Sequence, residues 1–124
     1  VEASAVAIIT GKAGLTTKYQ NRTYTDTFLT GCSLDYIKIT DFEIESGRYF
    51  SQQEMDNARD VTVIGADVAQ MLFPEGNPIG KTIKVKGHNF VVIGVLKREG
   101  TNIFGESSAD KRVIITYGAF ARMY

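Results

Sequence analysis

The longest apolar stretch in this chain, Phe90–Leu96, is interrupted by Gly94 and stops after seven residues. A membrane-crossing helix needs about 20. The other apolar runs, Val61–Ile64 and Val113–Ile115, are shorter still, rich in β-branched residues and set between turn residues. Short β-branched runs of this kind suit strands, where the branched side chain packs on a pleated surface. The chain has twelve glycines and only two prolines, so turns are frequent and edge-breaking prolines few. The pattern predicts a strand-rich α+β domain with about seven strands and three short helices. A chain of 124 residues buries roughly two-thirds of its unfolded surface. That supports one core, and residues 1–124 read as a single domain.

Several elements follow from local chemistry. Ala5–Thr10 reads as a strand, and Thr16–Gln20 with Thr23–Leu29 reads as a hairpin turning at Asn21–Arg22. Phe42–Glu45 alternates apolar and acidic residues, with Gly47 breaking the strand. Ser51 stands three residues before Glu54, the spacing of a reciprocal helix cap, so a short helix should run to about Ala58. Val61–Ile64 is a buried strand. Ala66–Phe73 is a helix with Val68, Met71 and Leu72 on its inner face, stopped by Pro74 because the residue before a proline avoids helical backbone. Lys81–Lys86 should pair with Phe90–Leu96 through a turn at Gly87–His88–Asn89. Arg98–Asp110 is a polar loop, Arg112–Thr116 a strand and Ala119–Met123 a final helical turn.

The chemistry is sparse. Fourteen basic residues balance fourteen acidic ones, so the excess of cations that nucleic-acid binding demands is missing. Cys32 is the only cysteine, which excludes an internal disulfide and a paired-cysteine zinc site. Gly76–Asn77–Pro78–Ile79–Gly80–Lys81–Thr82 approaches a phosphate-binding loop, but Glu75 occupies the position of its first glycine and a strand follows instead of a helix. His88 lies in a turn without a nucleophile beside it in sequence. Glu43 and Glu45 share one strand face at a separation of about 7 Å, which suits a glycosidase acid pair as well as a solvated outer face. Glu99, Glu106 and Asp110 lack the register of a calcium loop. Tyr36, Tyr49, Phe50, Phe73 and Phe90 are expected mostly in the core. Ile103 and Phe104, placed between Gly100 and Gly105, either tuck back onto the domain or dock a partner. The residues therefore indicate no catalytic, cofactor or metal site. Binding or mechanical coupling is left by elimination.

From Gly31 onward, a series of short signals resembles one family. It runs through Tyr36, Glu45–Ser46–Gly47–Arg48–Tyr49–Phe50, Glu54, Val61–Gly65, Val68–Ala69 and Leu72–Phe73–Pro74. It continues with Asn77–Ile83, Phe90–Leu96, Gly100, Phe104–Gly105, Asp110 and Val113–Tyr117. The order and spacing are similar to the periplasmic core domain of MacB-like ABC transporter permeases, of the MacB/FtsX/LolC type. The resemblance is strongest over residues 31–124. It implies a β-rich subdomain beside part of a porter-like α/β subdomain, in the periplasmic insertion of a bacterial inner-membrane protein. The opening Val1–Glu2–Ala3–Ser4 accordingly reads as part of a longer chain and not as a signal peptide.

The resemblance also implies a division of labour. ATP would be bound by a separate cytoplasmic domain or subunit, and this domain would carry no cofactor. Its partners would be a second permease copy, the ATPase and a periplasmic adaptor or other periplasmic protein, with no nucleic acid. Efflux is the leading role, and lipoprotein release or control of a cell-wall hydrolase is the sibling one. A small hydrolase using Glu43 and Glu45 is the rival from another class. Gly47, Gly65 and Gly80 would serve turns, Pro74 and Pro78 would shape the connection between them, and Arg48 would pair with a carboxylate. Where relatives commonly place proline before the aromatic, this chain has Thr116–Tyr117, which implies a less rigid strand end.

Overall fold

The computed structural model describes residues 9–34, 43–98 and 109–124. Among these are seven strands: β1 (Ile9–Tyr19), β2 (Arg22–Cys32), β3 (Ile44–Gly47), β4 (Val61–Ile64), β5 (Thr82–Val85), β6 (His88–Leu96) and β7 (Arg112–Thr116). Three α-helices accompany them, α1 (Gln52–Asp56), α2 (Ala66–Leu72) and, after the last strand, α3 (Tyr117–Met123), with a 3₁₀ turn at Ala109–Lys111. None of these helices is long and apolar enough to cross a membrane. The predicted strand-rich α+β class is the class found.

The sheet order is β3-β6-β4-β7-β2-β1-β5, and β5 pairs in turn with β6. Six strands therefore form a hydrogen-bonded circuit, with β3 attached beside it. The β1–β5 join consists of only two residue pairs, Thr17↔Val85 and Lys18↔Lys84. β6 is the junction. Its first half pairs with β5, from His88↔Val85 to Val91↔Thr82, and its second half with β3, from Gly94↔Gly47 to Leu96↔Ile44. Its remaining edge carries β4 in parallel, from Val91↔Val61 to Val95↔Ile64.

Strand alternation divides the core between the two faces. Val113 and Ile115 join Leu29, Ile64 and Val92 on one face, covered by Val68 and Leu72 of α2 and by Ala119 and Phe120 of α3. Ile114 joins Cys32, Val63, Ile93 and Leu96 on the other, together with Phe50. Buried hydroxyls are satisfied within the sheet. Thr62 Oγ1 donates to the Ile114 carbonyl at 2.8 Å, and the Thr17 and Thr27 hydroxyls share a hydrogen bond of 2.8 Å.

Several boundaries differ from expectation for physical reasons. The first hairpin turns at Gln20–Asn21, closed by Tyr19↔Arg22, one residue earlier than predicted, with Gln20 at φ 53°. β1 runs on through Gly11–Leu15, a stretch expected outside the strands, because two bulges and Gly14 at φ 73° absorb its irregularity. The second hairpin turns at Lys86–Gly87, with φ 52° and 80°, since two-residue loops with positive φ match the twist of the strands. His88 accordingly begins β6 and is not a turn residue. β3 begins at Ile44, with Glu43 just before it; Phe42 lies outside the described residues. Met71 is 49% exposed; α2 is a two-turn helix whose buried stripe holds only Val68 and Leu72.

Thr116 is fully buried and its hydroxyl accepts a hydrogen bond from the Ala119 N–H at 3.1 Å. It caps α3, so this strand end is held firmly without proline. Truncating Ile115 to Ala should cost about 3 kcal/mol, because a buried side chain leaves a cavity. The same change at Met71 should stay within about 0.5 kcal/mol. Chemical denaturation of both variants measures the difference.

Candidate functional site

Two of the residues singled out in the sequence, Gly47 and Arg48, lie where the end of β3 pairs along β6. Gly47 has φ +79°, and a Cβ there would collide with the Ile93 carbonyl oxygen and the Gly94 Cα. A Cβ on Gly94 would collide with the Arg48 carbonyl oxygen. Two glycines thus let the backbones touch, and the Arg48 N–H donates to the Ile93 carbonyl at 2.9 Å. Arg48 is then aimed at α1. Its Nη1 and Nη2 reach Glu54 Oε1 and Oε2, each at 2.9 Å, and Nη1 also donates to the Tyr49 carbonyl at 3.0 Å.

Glu54 completes the reciprocal cap anticipated from its spacing. It accepts from the Ser51 N–H at 2.9 Å, while the Ser51 hydroxyl accepts from the Glu54 N–H at 3.1 Å. The Arg48 fork, foremost, and the Ser51 amide hold the Glu54 carboxyl down at about 2 against an ordinary 4.5. Gly94 is the residue that the site reading missed. A glycine inside an otherwise continuous apolar run is the available signal, since it marks close backbone approach.

The loop after α2 resolves the phosphate question. The Ile79 N–H donates to Asn77 Oδ1 at 3.1 Å, the Gly80 N–H to the Val92 carbonyl at 2.8 Å and the Lys81 N–H to the Pro78 carbonyl at 3.0 Å. The amides that would cradle a phosphate are committed to the fold, and β5 follows. Gly80, at φ +88°, is a turn glycine as expected. Gly65 is not, because it sits at φ −77° as the N-cap of α2, tied by its N–H to the Arg112 carbonyl at 2.8 Å. Pro74 is exposed just beyond the helix end at Phe73, and Pro78 is half-buried.

The remaining candidates are dispersed. Glu43 and Glu45 are solvent-exposed, and Glu43 lies 3.6 Å from Lys97. A general acid is usually held protonated by burial, which neither has. His88 is exposed. Cys32 is buried, and burial pushes its thiol up to about 12, far from a reactive thiolate. Among the described residues no group of three His, Cys, Asp or Glu is placed to hold a metal ion. Arg98 spans α2 and the 3₁₀ turn, at 2.6 Å from Asp67 and 3.7 Å from the buried Asp110. Tyr36, Gly100, Ile103, Phe104 and Glu106 lie outside the described residues.

This arrangement is a set of structural ties, and comparison with known proteins identifies its family. The family model described as the MacB-like periplasmic core domain matches residues 1–124. The chain belongs to that family. The match takes in residues 1–30 as well as the span 31–124 where the motif series lies. The domain is thus a MacB-like periplasmic core domain.

Among its relatives, a pyoverdine export ATP-binding/permease protein of Pseudomonas aeruginosa is 36% identical over 105 residues, covering 85% of this chain and 16% of that protein. A macrolide export ATP-binding/permease protein of Chlorobium phaeobacteroides is 34% identical over 112 residues, covering 90% of this chain and 16% of that protein. The chain thus spans about a sixth of the length of these relatives. The extracellular domain of YknZ, a transporter of Gram-positive bacteria, shares the fold at TM-score 0.80 and 23% identity, over 94% of this chain and 56% of that one. The periplasmic region of MacB from Actinobacillus actinomycetemcomitans does so at 0.77 and 22%, over 94% and 49%.

Two outcomes test this pairing. Gly94→Ala should destabilise the domain by about 2 kcal/mol, since backbone atoms cannot move aside as a side chain can. Thermal unfolding measures it. Glu54→Gln keeps the cap geometry but loses the ion pair, costing about 1 kcal/mol at neutral pH after allowance for the half-exposed Arg48. Because folding lowers the Glu54 pKa, its contribution is full above about pH 5 and lost as pH falls toward 2. The stability difference between wild type and variant should therefore shrink over that range.

Proposed function

We propose that this domain is a non-catalytic coupling element of an export permease. In this reading, ATP hydrolysis in a separate cytoplasmic domain or subunit moves the membrane helices. The periplasmic domains of two permease copies then change their separation and drive cargo outward or signal to a periplasmic adaptor. The observation that carries the reading is the family match across all 124 residues. The fold supports it in kind. A circuit of strands, with α2 and α3 tied to neighbouring segments by Arg98–Asp67 and Arg122–Asp60, suits the rigid-body movement that such switching requires. The relatives' names, macrolide and pyoverdine export, favour efflux over lipoprotein release or hydrolase control.

Ile103 and Phe104 are the proposed docking residues for the adaptor. In the full-length permease, Ile103→Ser combined with Phe104→Ser should reduce adaptor co-purification about tenfold, as loss of an apolar anchor pair does, with basal ATP hydrolysis retained. Unchanged capture would remove the loop from the docking surface. Glu43→Gln with Glu45→Gln should leave export at its wild-type level. A loss of glycan or peptidoglycan cleavage in that variant would instead establish the hydrolase reading.

A further inference from the structure

The two register irregularities of β1 lie between Lys12 and Thr17, beside the β5–β6 turn. A groove of about 480 Å³ opens there, floored by Gly14 and Gly87 and walled by Lys18, Lys84 and Lys86. Neither glycine has any atom within 4 Å of where a Cβ would stand, so the floor is open backbone. No carboxylate lines the groove among the described residues.

Three local features here run against stability, and two of them place ammonium groups on the groove. Lys18 and Lys84 face each other directly across the two-pair β1–β5 join, and like charges so placed repel. Lys86 occupies the first position of a turn at φ 52°, where asparagine or glycine is the unstrained choice. Its ammonium is steadied 4.7 Å above the Tyr124 ring. The bulges themselves interrupt the sheet ladder. Residues that cost stability without serving the core point to a use in binding.

We propose that this groove binds an extended acidic segment of a polypeptide partner. Lys84 and Lys86 stand two residues apart in sequence on the same groove, and alternate carboxylates of an extended chain repeat at about 6.8 Å. Lys18 faces Lys84 from the opposite wall. A row of separate ammonium groups matches a row of carboxylates, whereas a single phosphate is usually held by converging backbone amides or an arginine fork. The site stands apart from the export reading, since it concerns peptide binding and not transport.

The test titrates the chain with a short peptide alternating glutamate and threonine, followed by heteronuclear NMR and fluorescence anisotropy. Shifts should concentrate at residues 14–18 and 84–88, and the affinity should fall at least about tenfold as ionic strength rises from about 0.03 to about 0.3 M. Lys84→Glu should weaken binding about tenfold yet raise Tm by about 2 °C, because it turns a repulsive cross-strand pair into an attractive one. Lys86→Asn should likewise weaken binding and raise Tm. Lys97→Glu, the same charge change away from the groove, should alter the affinity less than about twofold. A merely structural role for the lysines cannot produce gain of stability with loss of binding. The proposal is overturned if the peptide does not bind, if Lys97→Glu weakens it equally, if millimolar inorganic phosphate displaces it, or if vesicles of anionic lipid bind in its place.

Discussion

β6 carries β5 and then β3 along one edge and β4 along the other, and the remaining architecture depends on this sharing. A strand can serve three neighbours only if its backbone stays accessible on both edges while its side chains fill two opposed cores. The apolar run Phe90–Leu96 meets the second demand. Gly94 meets the first, since a side chain there would strike the Arg48 carbonyl and push β3 off its edge. With β3 goes the turn that presents Arg48 to Glu54, and with Glu54 the cap of α1. One missing Cβ therefore controls a path from the central strand to the surface ion pair.

The neutral composition conceals an uneven charge distribution. Arginines are spent on ties between elements: Arg48 to α1, Arg98 to α2 and the 3₁₀ turn, Arg122 to the segment before β4. Their planar forks suit defined geometry. The lysines at 18, 84 and 86 gather instead around an open groove, where a flexible stem and a point charge suit a partner that is not yet present. Rigidity and recognition are thus assigned to different cations. That separation lets a binding surface vary without loosening the frame.

The turn after α2 shows how nearly identical local sequences diverge in purpose. Gly80–Lys81–Thr82 carries the residue types of a phosphate site. The Ile79, Gly80 and Lys81 amides, however, donate to Asn77, Val92 and Pro78 in turn, because the segment must lead into β5 beside β6. Backbone donors committed to a sheet are not available to a ligand. The same logic governs Cys32, whose burial in the second core withholds the thiol from chemistry.

Much of this protein was legible in its sequence because the signals were local. The cap at Ser51–Glu54, the β-branched strands at Val61–Ile64 and Val113–Ile115, the stop at Pro74 and the alternation of Ile83 and Val85 each arise from neighbours a few residues apart. So did the ordered motif series that marked the family. What remained hidden depends on residues far apart in the chain: the meeting of Gly47 with Gly94, the circuit closed by the β1–β5 join, the exposure of Met71 and the facing of Lys18 by Lys84. The sequence by itself determined which segments would be strands and helices and which side chains could not face water. Only the tertiary structure decided which strands would be neighbours, because pairing is settled by competition among distant segments for the same edges and the same buried volume.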